Sequence, residues 1–163
     1  MTQKKSKNRK VNSKQLAADN IVKSTVLWTT GAGLMPIPVF DLMTVTGLQL
    51  NMLRRICKIY EVKFFKNIGK NIIGALLGGL TRSTLSGPAA SFIKMIPLVG
   101  QTVGAVTMPI FSGASTYGVG KVFIKHFESG GTLLSFKAKE EFIEKFKEGA
   151  EVVRGRKRKK PVV

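Results

Sequence analysis

Two prolines, Pro36 and Pro38, break a nearly uncharged run in the stretch GLMPIPVFDL (33–42). Between Ser24 and Leu53 the only charged side chain is Asp41. Proline has no backbone N–H and its ring clashes with the preceding helical turn, and the residue before it is pushed to extended geometry. MPIP therefore reads as an extended corner. It divides the run into two limbs of about 12 to 16 residues, roughly 18 to 24 Å of helix. A membrane-spanning helix needs about 20 apolar residues, roughly 30 Å. Each limb is too short to cross comfortably and long enough to dip into a bilayer or to line a protein core. Asp41 stands where a second helix would begin, and a carboxylate there would cap free N–H groups and suit the positive helix end. From that point Leu42, Val45, Leu48, Met52, Ile56 and Ile59 follow helical spacing as far as Tyr60.

A first helix is expected from Lys14 towards Gly31, with Ser13 as its N-cap, after a solvated basic arm over 1–13. The second half repeats the plan loosely. A glycine-rich apolar stretch from Asn71 to Lys94 breaks near Gly87-Pro88, MIPLVG (95–100) makes another corner, and Gln101 to Phe127 returns. After ESGG (128–131) a last helix, roughly Ser135 to Val153, carries the stripe Phe136, Ile143, Phe146, Ala150 and Val153. Lys137–Glu141, Glu141–Lys145 and Lys147–Glu151 stand four apart and would support it. The expected fold is all-α: two proline-cornered apolar helical hairpins packed together, a C-terminal amphipathic helix and basic disordered termini. The expected divisions are 1–13 for the arm, 14–130 for the hairpin domain, 132–153 for the amphipathic helix and 154–163 for the tail.

Charge and apolarity are segregated along this chain. The formal net charge is +18, yet mean hydropathy is +0.09. Thirteen of the 27 basic residues lie in the first 23 residues or the last ten, and none of the 24 residues between Met95 and Gly120 is charged. A chain basic at its ends and apolar within fits an anionic membrane surface or nucleic acid. Lys4, Lys5, Lys7, Arg9 and Lys10, then Arg54, Arg55 and Lys58, then Arg156, Lys157 and Arg158 are the expected contacts to anionic lipid. The positive-inside rule would hold all three clusters on the cytoplasmic side, so each apolar block must enter and leave by one face. Arg82 and Lys94 make the second block harder to insert. The pairs Gly74/Gly78 and Gly100/Gly104 have the spacing that allows close helix contact, in a membrane or in a soluble bundle. Nucleic acid is the disfavoured partner, because the aromatic residues lie in apolar context and no base-reading element accompanies the arms.

Catalytic patterns fail on spacing. STYGVGKV (115–122) holds Ser115 where a phosphate loop needs glycine and Val122 where it needs Ser or Thr. Small residues on a packed helix explain it better. His126 is the sole histidine and has no companion ligands in sequence, so no metal or cofactor is expected. The first three acidic residues, Asp19, Asp41 and Glu61, stand apart rather than as a paired-carboxylate site. Cys57, the only cysteine, suits a reducing compartment and is expected to be a packing residue. No enzyme activity and no catalytic residue are expected.

PIPVFDL followed by LQLNMLRRICKIYEV resembles a bacterial domain of unknown function. That domain is found attached to Era/Ras-like GTPase domains and in YcjF-type inner-membrane proteins. On that resemblance Pro36, Pro38, Asp41, Gln49 and Tyr60 match a first motif. IPLVG (with Pro97 and Gly100) and STYGVGKVFIKHF (Thr116, Tyr117, Gly120, Phe127) match a second. The similarity covers about residues 16–130. The family usually has glycine after the tyrosine, where this chain has Glu61, and this chain carries no GTPase domain of its own. The resemblance implies a stand-alone, non-enzymatic accessory or scaffold module at the cytoplasmic face of a bacterial membrane, working beside a separate GTPase. Homo-oligomerisation is left open. The alternative is a soluble, cytoplasmic, basic helical protein that binds nucleic acid or an acidic partner.

Overall fold

The computed structural model describes residues 2–32, 38–85, 101–137 and 139–155, with side chains over 11–31, 44–79, 109–137 and 140–155. The described residues form helices without strands: α1 (Thr2–Ala32), α2 (Pro38–Tyr60), α3 (Lys66–Leu85), α4 (Gln101–Glu128) and α5 (Lys139–Val153). The all-α class is as the sequence implies.

Helix α4 is the centre of the bundle. It packs against α5, α1 and α2, while α3 lies mainly along α2 and touches α4 only lightly. Every residue from Ser112 to Gly120 is buried, which is possible because most of them are small. A Cβ on Gly113 would strike Thr30 of α1 and Val153 of α5, and one on Gly120 would strike Val22. Gly118 receives the Phe142 ring and the Phe146 amide, and Gly149 of α5 receives Tyr117 and the Ala114 backbone. Helices α1 and α5 thus approach α4 at nearly backbone distance. Larger side chains fill the C-terminal half, where Phe123 stacks on Phe136 with centroids 4.3 Å apart and meets Phe127 at 5.6 Å.

Several boundaries differ from expectation. Helix α1 runs from Thr2, so neither a disordered arm over 1–13 nor a cap at Ser13 is found. That segment holds no proline or glycine and five Lys or Arg, which are good helix formers. Helix α2 opens at Pro38, three residues before Asp41, because proline's fixed φ suits the first helical turn and its missing N–H costs nothing there. Asp41 therefore lies within the first turn and not at the cap, and its side chain is outside the described set. Helix α5 begins at Lys139, and Phe142, absent from the expected stripe, is its most deeply buried residue. Glu141 pairs with Lys125 of α4 at 2.6 Å, and Lys145 with Glu148 at 3.0 Å, in place of the expected ties of Glu141 to Lys137 and Lys145. Pro36, Gly87-Pro88, Lys94, Pro97 and Gly100 lie outside the described residues.

Two helices end in the same way. At the end of α4, Gly131 N–H donates to the His126 carbonyl (2.9 Å) and Gly130 N–H to that of Phe127 (3.0 Å), with Gly130 at φ +84°. At the end of α2, Val62 N–H donates to Cys57 O (2.9 Å) and Glu61 N–H to Lys58 O (3.3 Å). This is the Schellman pattern, whose left-handed position favours glycine. Glu61 occupies it at φ +59°, where a Cβ costs roughly 1–2 kcal/mol. It stands where the resembled family usually has glycine, and the backbone explains that usage. Glu61 accepts a hydrogen bond from Lys14 at 2.8 Å, an exposed ion pair worth a few tenths of a kcal/mol. Glu61→Gly should therefore stabilise the protein by roughly 0.5–1 kcal/mol, and Gly130→Ala should destabilise it by roughly 1–2 kcal/mol. Paired urea denaturation curves check both signs.

Candidate functional site

The motif residues that lie far apart in sequence meet at the seam between α2 and α4. Gln49, fully buried, donates from Nε2 to Ser115 Oγ (3.1 Å) and Thr116 Oγ1 (3.2 Å). Those hydroxyls in turn donate to the Ser112 carbonyl at 3.0 and 2.8 Å. Gln49 Oε1 has no protein partner. Burying an amide is costly unless it is bonded, so the amide and hydroxyls fix one register of α2 on α4. Half-way along, Asp19 of α1 accepts from Lys121 of α4 at 2.7 Å, with both side chains about three-quarters buried. Lys121 also lies over the Tyr117 ring, 5.7 Å from its centroid. At the lower end, Tyr60 O–H donates to Glu128 (3.0 Å) and its ring meets Phe127 at 6.0 Å. Burial, the hydrogen bond to Glu128 and the negative charge of Glu128 push the Tyr60 phenol well above its ordinary range. It stays protonated and acts as a donor.

Of the expected motif residues the structure thus gathers Gln49, Tyr60, Thr116 and Phe127 at the seam between α2 and α4, while Gly120 faces Val22 of α1. Pro38 opens α2, while Pro36, Pro97 and Gly100 lie outside the described residues. Tyr117 O–H donates to Glu148 of α5 at 2.8 Å, which ties the second motif to the last helix. The sequence reading did not single out Asp19–Lys121 or Ser112. Helical spacing alone assigns apolar faces, and a polar pair between remote helices leaves no periodic trace.

Chemically, these groups are committed to structure. Ser115 Oγ accepts from Gln49 and gives its own hydrogen to Ser112 O, so no base stands ready to activate it. STYGVGKV is the interior of a buried helix and not a phosphate loop, as its spacing implies. His126 Nε2 lies 2.9 Å from Thr132 O and 3.3 Å from Ser135 Oγ, in the turn after α4. Among the described residues no group of three or more His, Cys, Asp or Glu side chains could hold a metal ion. A groove of about 710 Å³ between α3 and α5 is walled by Ile72, Leu76 and Phe136, with Glu141 at its rim held by Lys125. Cys57 is buried, and desolvation pushes its thiol up to about 11.

Arg54, Arg55 and Lys58 stand exposed on the outer face of α2. Lys4, Lys5, Lys7, Arg9 and Lys10 lie on helical backbone whose side chains are outside the described set, and Arg156, Lys157 and Arg158 lie outside the described residues. Gly74 and Gly78 of α3 do not pack as a close-contact pair within the bundle, since a Cβ on either would meet nothing within 4 Å. No helix among the described residues is long and apolar enough to cross a membrane.

An all-α bundle, locked by a buried polar seam that carries two sequence motifs, defines a helical-bundle class. The family described as a domain of unknown function (DUF697) matches residues 2–148, and the chain belongs to it. It is similar to magnetosome membrane protein 22 of Magnetospirillum gryphiswaldense, with 35% identity over 126 residues. That match covers 77% of this chain and 65% of that protein, so the chain spans about two thirds of its relative's length. No solved structure matches the chain.

Two outcomes follow from the packing. Gly120→Ala should destabilise the protein by about 1–3 kcal/mol, because α1 must retreat at Val22. Gly74→Ala should stabilise it by about 0.5–1 kcal/mol through helix propensity alone; thermal melts of the pair distinguish packed from open glycines. Since the thiolate is the reacting form, Cys57 should resist a disulfide reagent in the folded protein at pH 8 and react fully in denaturant.

Proposed function

We propose that the protein is a non-enzymatic, membrane-associated scaffold or accessory module. It is held by its basic residues to anionic lipid on the cytoplasmic side of a bacterial membrane, and it works beside a GTPase in trans. The carrying observation is how charge is spent. Five of the nine acidic residues lie in ion pairs with Lys14, Lys121, Lys125, Lys145 and Arg154. The Gln49 amide and the Ser115 and Thr116 hydroxyls are used in tying α2 to α4. What α2 offers outward is a row of three cations, Arg54, Arg55 and Lys58, each worth about 1 kcal/mol near an anionic surface. Membership of the family and the relative's name as a membrane protein support the same reading. The GTPase partner rests on the family resemblance.

Vesicle co-sedimentation tests the lipid contact. The protein should bind phosphatidylglycerol-containing vesicles at low salt and pure phosphatidylcholine vesicles far more weakly. Binding should fall as salt rises, because the screening length shrinks from about 30 Å at 0.01 M to about 3 Å at 1 M. Replacing Arg54, Arg55 and Lys58 together by Gln should weaken it at least about tenfold. Equal recovery in the supernatant with and without anionic vesicles would falsify the proposal.

A further inference from the structure

One end of the bundle combines exposed apolar side chains with the root of the basic tail. Leu27 and Trp28, adjacent in the penultimate turn of α1, are 74% and 71% exposed. Leu16, Lys23 and Leu27 stand seven and four residues apart, on one outward face of α1. Thr30 and Val153 converge on Gly113, which brings the C-terminus of α5 to the end of the bundle where α1 also terminates. Val152, 45% exposed, belongs to that end. Five consecutive basic residues, Arg156 to Lys160, follow Gly155 in the sequence. Among the described residues, Leu134 is the other large apolar residue of comparable exposure (72%), and it lies at the opposite end, in the groove with Tyr60 and Val62.

We infer that the Leu27–Trp28 edge of α1 is the part of the protein that seats in the lipid interface, with the exposed Lys23 beside it among anionic headgroups. This inference rests on the membrane reading above and names the surface that makes contact. A tryptophan is amphipathic and prefers the boundary between hydrocarbon and headgroups. Lys23, exposed one turn before Leu27, lets its stem follow the apolar edge while its ammonium stays among headgroups. An acidic protein groove would satisfy the basic tail equally. It would not require two large apolar residues side by side on an outward helical face with no acidic neighbour between Asn20 and Phe40.

Trp28 is the only tryptophan in the chain, so the protein carries its own probe. With phosphatidylglycerol vesicles, Trp28 emission should shift to the blue, and lipids brominated near the headgroup should quench it. Leu27→Glu should lower vesicle partitioning about tenfold, the scale of a partly buried leucine. Leu134→Glu, which changes the charge identically, should bind like the native chain. Both positions are exposed, and unchanged melting of the two variants confirms that they fold. Sedimentation with the vesicles while Trp28 emission and quenching stay unmoved would overturn this edge and leave the membrane reading standing. An equal loss for Leu27→Glu and Leu134→Glu would overturn the edge as well. No sedimentation at all, with Trp28 unmoved, would remove both.

Discussion

The bundle depends on α4 having almost no side-chain bulk where α1 and α5 converge on it. Helices ordinarily pack 8–10 Å apart, at a distance set by the residues between them. Gly113, Ala114, Gly118 and Gly120 remove that spacer, and Thr30, Val22, Phe142 and Val153 reach the α4 backbone. Close approach of this kind gains dispersion contacts along the whole helix. It also has a cost, since glycine loses more conformational freedom on folding and is a poor helix former. Pro109 within the same helix adds a missing hydrogen bond. The centre of the fold is thus made from residues that would not hold a helix alone, and its neighbours on three sides keep it helical.

Small residues allow closeness but do not choose a register, since a glycine-rich surface looks much the same one turn along. The polar groups make that choice. Gln49 meets two hydroxyls in a single alignment of α2 on α4, and a slip by one turn would leave the amide buried without donors or acceptors. A buried amide left unbonded costs about 1–3 kcal/mol, a large part of the stability of a domain this size. Asp19–Lys121 sets α1 in the same way, and Tyr117–Glu148 sets α5. The two motifs are therefore the two sides of one lock. That accounts for their order and separation in the chain without any catalytic requirement.

The sequence displayed the helices and hid their partners. Apolar spacing from Val45 to Ile59 located α2 because a half-buried helix alternates its faces, and Val45, Met52 and Ile56 are indeed buried. The same spacing passed over Gln49, Leu53 and Cys57, which share that face. The small-residue reading of STYGVGKV was sound because the phosphate-loop positions are wrong. Which helices it would face was not legible, since glycine carries no hydropathic signal about its neighbour. Helix α1 exceeded its expected start because charge is no barrier to helix when lysines and arginines replace breakers. Glu61 was visible as a departure, but its meaning needed the backbone: a left-handed residue at a helix end has no side-chain signature unless it is glycine.

A relative named as a membrane protein and a chain in which no described helix can span a bilayer are physically compatible. Spanning demands that one continuous helix satisfy its own backbone over about 30 Å of hydrocarbon. Surface attachment demands only apolar contact area and basic side chains near anionic headgroups. The structure separates these two demands from the fold itself, because the core closes around α4 without using Leu27, Trp28, Arg54, Arg55 or Lys58. Residues that the bundle does not need are free to be set by what lies outside it. The placement of cations and exposed aromatic surface outside a core that does not use them is what an attachment module requires.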